Sequence, residues 1–212
     1  YKKTLSRLFG KRAKGCAQKK SRFGYINKNF TERLLKMQMS DDIILNMSNK
    51  SFLKIITATA ADSRLSKTAF FIQHGNTSCL LHCIAVAYYC YRLAERFKTL
   101  KGHENELVRG ALLHDYFLYD WHENDPSHRL HGFTHPKRAL INATADWNLS
   151  DRTQNIILRH MFPLTPVPPA CREAWLVCLA DKVCALAETF HMTEQFFASI
   201  KYPYDIKNPR PW

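Results

Sequence analysis

The chain lacks any uninterrupted apolar stretch near the ~18–20 residues that a membrane-spanning helix needs, and no apolar segment follows its basic start. The first absence excludes a hydrophobic membrane-spanning helix. The second argues against a secretory signal. None of the seven cysteines (16, 79, 83, 90, 171, 178 and 184) forms a CxxC pair, which argues against a cysteine-rich structural zinc site. Their odd number and placement in helical runs suit reduced, buried thiols, and hence a reducing, cytoplasmic compartment. No internal repeat is present. Acidic side chains are nearly missing from the first 36 residues, where twelve Lys/Arg face the single Glu32. That stretch carries a net +11 and leaves only +2 of the chain's +13 for everything after it. The basic character therefore belongs to the start of the chain and not to its core.

What is present suits one ordinary domain plus an appendage: 212 residues, 46% of them hydrophobic, enough for a packed interior. We expect a basic N-terminal extension over residues 1–40 and a single domain over residues 41–212. The chain opens on Tyr1 and not Met, as a fragment or a processed form would. The extension reads as a solvated tail or as an electrostatic arm that contacts nucleic acid through residues 1–36. In the second reading Phe9, Phe23, Tyr25 and Phe30, interleaved with the charges, stack on bases.

Helical signals dominate the domain. Ser40, Asp41 and Asp42 offer a cap, and short helices should fill residues 42–66. Gln73 to Asn76 reads as a turn, after which Thr77 or Ser78 caps a helix to about Phe97. The next helix should begin near His103 or Glu104 and run into LVRGALLHD. Thr134 should cap another, with Pro136 in its first turn. Ser150 should cap the stretch DRTQNIILRHMF, which ends at Pro163. After the extended PLTPVPP linker, residues 171–190 should form the last core helix, followed by a short helix and an extended tail.

Leu107 to Trp121 is the segment around which the rest is organised. Val108, Ala111 and Leu112 recur at helical spacing and mark a buried stripe. The stripe leads straight into His114 and Asp115, an imidazole and a carboxylate that are costly to bury unpaired. His82 shares a face with Ala85, Val86 and Tyr89, and Asp181 is flanked by Leu179, Ala180 and Val183. Lys182 points away from Asp181 by helix geometry. His135 and His160 complete a set of six. A His–Asp pair capping a core helix, or a satisfied core histidine, would be the plainer reading of each residue alone. A divalent metal would satisfy them together, and the nitrogen–oxygen donor set suits Mn, Fe, Zn, Co or Ni. Gly110, four residues before His114, leaves room for a second helix to approach. Lys137 and Arg138, placed beside the expected helix start at Thr134, would favour a phosphate or else form a solvated face.

With His82, His114-Asp115 and Asp181 on apolar helices, the chain resembles the HD superfamily of metal-dependent phosphohydrolases over about residues 70–190. The resemblance implies an all-α fold, a single HD-type helical bundle. It implies cleavage of a phosphate mono- or diester, with nucleotides among the small phosphorylated substrates, by metal-activated water. One or two divalent transition-metal ions are implied: the first held by His82, His114, Asp115 and Asp181, the second by His135 and His160 with Asp115 bridging. Asp115, Lys137 and Arg138 would be the catalytic groups, His131 would help to neutralise the phosphate, and His74, His122 or His128 would be the general acid. The chain departs from many relatives in Tyr116-Phe117-Leu118 after His-Asp, where they carry a small residue and then a lysine. Met161 stands where the cyclic-dinucleotide branch carries a second histidine, which points away from that substrate. Two other readings remain open here: a non-catalytic nucleotide- or nucleic-acid-binding protein that uses the basic arm, and a structural helical protein with paired core histidines.

Overall fold

In a computed structural model of the protein, residues 47–61, 64–190 and 192 are described. Their helices are α1 (Met47–Ala60), α2 (Cys79–Arg96), α3 (Glu104–Leu113), α4 (His131–Asp146), α5 (Asp151–Arg159) and α6 (Arg172–Thr189). Short 3-10 turns cover Arg64–Phe70, Lys98–Leu100 and Pro126–His128. The expected all-α class holds. One small antiparallel hairpin is added, β1 (Ile72–His74) and β2 (Thr77–Ser78), with Ile72 opposite Ser78 and His74 opposite Thr77. Its turn passes through Gly75 at φ +56°, a conformation that a residue without Cβ adopts freely.

Capping chemistry sets several boundaries. Ser78 Oγ accepts from the Leu81 amide at the start of α2, and Ser150 Oγ accepts from the Thr153 amide at the start of α5. Helix α2 packs against both α3 and α6, while α3 also meets α1 and α5, and α5 reaches α4 and α6. The core between them is filled by Phe52, Ile56, Tyr88, Leu107, Leu112, Ile156 and Ile157, all essentially inaccessible to solvent. Helices α3 and α5 approach closely at Gly110: a Cβ there would lie 2.7 Å from Ile156 Cγ2. Among the described residues, no helix is long and apolar enough to cross a membrane.

Three expectations are corrected. The region expected to hold several short helices is one 14-residue helix, α1, followed by the 3-10 turn. Helix α5 stops at Arg159, with His160 as its C-cap. Helix α4 begins at His131 and not at Thr134, which puts Pro136 inside the helix and not in its first turn. Thr134 Oγ1 donates to the Leu130 carbonyl as an internal helix residue. The expected cap at Ser40 to Asp42, the basic extension and the final short helix and tail lie outside the described residues.

Candidate metal centre

Five of the six helices contribute to one buried cluster. His82 stands in the first turn of α2, and His114 and Asp115 at the C-terminal end of α3. His135 comes from α4, His160 caps α5, and Asp181 lies midway along α6. All six are buried, with exposures from 0 to 7%. The chain leaves α3 through a sharp turn, with Leu118 at φ +63°. The Asn142 side-chain amide donates to the carbonyls of Tyr116 and Phe117, both at 3.0 Å, and so pins the segment just after Asp115.

Helix backbone orients three of the imidazoles. Nδ1 of His114 lies 2.6 Å from the Ala111 carbonyl, Nδ1 of His160 lies 2.8 Å from that of Ile157, and Nδ1 of His135 lies 2.9 Å from that of His131. A carbonyl only accepts, so each Nδ1 carries a proton and each Nε2 turns inward, where in the neutral imidazole it offers an electron pair. The Nε2 atoms of His135 and His160 then face each other at 2.8 Å. Two lone pairs at that distance repel unless a cation sits between or beside them.

Asp115 divides its two oxygens. Oδ1 lies 3.1 Å from His135 Nε2 and 3.5 Å from His160 Nε2. Oδ2 lies 3.5 Å from His114 Nε2 and accepts from the Gln73 side-chain amide. Asp181 Oδ1 stands 3.1 Å from His82 Nε2 and 3.5 Å from His114 Nε2. Ligating atoms of His82, His114 and Asp115 lie within 4.8 Å of one another, as do those of His114, His160 and Asp181, and those of Asp115, His135 and His160. Asp115 Oδ1 and His114 Nε2 are buried and make no hydrogen bond despite these neighbours. Orphaned polar atoms of this kind are rare in packed interiors. The donor set and the orphans fit divalent metal ions, with Asp115 placed to serve two positions.

Charges inside the cluster sustain one another. Burial by itself would raise the Asp115 carboxyl, but His114 and His135 hold it well below the usual carboxylate range. Burial opposes ionisation of Asp181 in the same way, and the adjacent imidazoles of His114 and His82 hold it well below that range too. Burial would lower His82 and His114, yet facing carboxylates, Glu188 first for His82 and Asp115 first for His114, raise both well above the ordinary imidazole value. His160 goes the other way and is lowered, chiefly by burial.

The remaining candidates are spread more widely. Lys137 is exposed, and the Arg138 guanidinium lies 5.0 Å from the Tyr119 ring centroid. Because α4 starts at His131, both fall in its second turn, past the reach of the helix end that was expected to assist them. Lys182 does not pair with Asp181: its ammonium donates to the carbonyls of His160 and Cys178, at 3.0 and 3.1 Å. His131 stacks on His135 and Trp121, and burial followed by the nearby His135 pushes it down to about 3. A shift in that direction favours the neutral imidazole and works against its expected role as a counter-charge for phosphate. Of the three general-acid candidates, His74 alone joins the cluster, edge-on to His82 at 5.2 Å between centroids. His122 packs on Trp121, and His128 stacks on Tyr119.

Two neighbours escaped the sequence reading as members of the site. Gln73 was assigned to a turn, although it is buried and bonded to Asp115. Glu188 is 1% exposed, and its Oε2 lies 2.9 Å from His82 Nδ1. Its signal was the seven-residue interval from Asp181, which puts both carboxylates on one face of α6. Residues 80–186, half of the chain, match the family model described as HD domain. No curated protein and no solved structure matches the chain.

Proposed function

The chain belongs to the HD domain family, and from that premise we propose that it is a metal-dependent phosphohydrolase acting on a small phosphate mono- or diester, nucleotides included. The family includes metal-dependent phosphohydrolases. The observation that carries the reading is the division of Asp115, with Oδ1 toward His135 and His160 and Oδ2 toward His114. That is the arrangement expected of a carboxylate shared by two ions. His82, His114, Asp115 and Asp181 would hold one ion, and His135, His160 and Asp115 the other. The bound ions would supply an acidified water and neutralise charge on the phosphoryl group.

The chain's own side chains orient and insulate this site. Gln73 holds one Asp115 oxygen in place, and helix carbonyls direct three Nε2 atoms inward. Burial keeps bulk water from screening these charges. Lys137 and Arg138, on the second turn of α4 that also carries His135, would meet the substrate phosphate from the rim. His74 is the general acid that position favours. The domain would span residues 41–212, with residues 1–40 appended as a basic extension that could contact nucleic acid.

The test is metal analysis of the purified full chain, with hydrolysis of p-nitrophenyl phosphate and bis-p-nitrophenyl phosphate in the presence of Mn, Co or Ni. Bound transition metal and turnover of either ester are expected. Asp115→Asn should reduce both by more than the ~100-fold typical of a lost outer partner, because it removes a ligand from both positions. Absence of metal together with absence of turnover on either ester would refute the proposal.

A further inference from the structure

Helix backbone orients His114, His135 and His160, but not His82. For two of them the reason lies in position: Ala111 and Ile157 are within the last turns of α3 and α5, where carbonyls have no intrahelical partner and can accept from a nearby imidazole. His135 reaches back one turn to the carbonyl of His131. His82 occupies the first turn of α2, where amides and not carbonyls are in surplus. Its Nδ1 reaches instead across the bundle to Glu188 Oε2, 106 residues further along the chain, at 2.9 Å.

Glu188 is an expensive residue to keep there. Its side chain has no exposure, and its second oxygen, Oε1, is buried without a hydrogen bond. A leucine would fill the end of α6 without leaving an acceptor unpaired. Glu188 also lies beyond the residues matched by the family, 80–186.

We propose that Glu188 is a positioning residue for the metal centre: by accepting the Nδ1–H of His82 it holds that imidazole with Nε2 directed at Asp181 and His114. The inference rests on the metal-binding reading above. Glu188 orients the ring through the reach and the acceptor oxygen of its side chain, as outer partners of metal-bound imidazoles do. His74, edge-on to the same ring, closes the side that faces the hairpin.

The test uses the full chain and zinc. Affinity is measured by competition with a chromophoric chelator, and the His82 ring is followed by nitrogen-15 NMR of the zinc-loaded protein. Glu188→Gln keeps an acceptor of the same reach but removes the charge. Glu188→Asp keeps the charge but falls one methylene short. The Asp variant should lose about 10–100-fold in zinc affinity and lose the protonated-Nδ1 signature of His82, while the Gln variant should stay within about threefold of wild type and keep it. An Asp variant that binds like wild type, or a Gln variant as weak as the Asp variant, overturns the role of Glu188 while leaving the metal centre standing. A wild-type chain that binds no zinc overturns both.

Discussion

Asp146 shows how a single side chain outside the centre supports it. Its carboxylate accepts from Arg64 Nε and Nη2, both at 3.0 Å, and from the Tyr116 hydroxyl at 2.6 Å. Tyr116 directly follows Asp115, so this link anchors the segment that carries the Asp115 carboxylate. Partial burial would raise the Asp146 carboxyl, but the hydrogen bonds from Arg64 and Tyr116 lower it below its ordinary value. A carboxylate lowered by folding contributes stability that is fully present above its unfolded value, about 3.9, and is lost as pH falls through the folded value. Asp146→Asn should therefore destabilise the protein by about 1 kcal/mol near neutrality, a figure kept small because Arg64 is substantially exposed. Urea melts of the two proteins should converge as the pH is lowered below about 4. A gap that persists undiminished in acid would refute the assignment. At this scale the sequence made His82, His114, Asp115 and Asp181 legible as candidate ligands, because each stood as a polar residue within an apolar helical pattern, while His135 and His160 were added by the family resemblance. It could not reveal Gln73, since a glutamine beside a glycine turn has the same local pattern whether it faces solvent or a carboxylate.

The approach of α3 to α5 decides whether His114 and His160 share a site. Gly110 permits it: an added Cβ would meet three Ile156 side-chain atoms at 2.7 to 2.9 Å, and Ile156 is fully buried. Gly110→Ala would favour the helix itself by about 1 kcal/mol, but the clash in a packed core should cost about 1–3 kcal/mol and outweigh or cancel that gain. The more diagnostic effect is on the centre, because α5 ends at His160, four residues after Ile156. Zinc affinity should fall in Gly110→Ala even where the melting temperature changes little. Unchanged affinity would show that the two helices can separate without disturbing the ligands. The glycine was legible as a close-packing position, and its partner was not. The start of α4 was misread for a related reason. His131 stacks between Trp121 and His135, and its Nδ1 is 2.8 Å from the Tyr119 hydroxyl. These tertiary contacts extend the helix a turn upstream of its best local cap and accommodate Pro136 inside it, despite the lost amide.

Taken as a whole, the bundle is tied together at one point, with candidate ligands arriving from every described helix except α1. An ion that binds only the assembled set would stabilise the fold with the logarithm of its excess over the dissociation constant, by about 4 kcal/mol at a thousandfold excess. Stripping the protein with a chelator should thus lower its melting temperature by on the order of 10 °C, and added Mn or Zn should restore it. An unchanged melting temperature would favour a structural helical protein with paired histidines. Deleting residues 1–36 should leave zinc affinity unaltered, since all six proposed ligands lie between His82 and Asp181. What the sequence determined by itself was the helical class and most of the helix boundaries, with His82, His114, Asp115 and Asp181 as candidate ligands; His135 and His160 joined them through the family resemblance. Periodicity, caps and polar residues where apolar ones were expected are local properties. Only the tertiary structure decided which oxygen of Asp115 faces which histidines, that His131 stacks between Trp121 and His135, and that Glu188 meets His82. Those depend on distances between residues up to 106 positions apart, and helical periodicity carries no information across such a span.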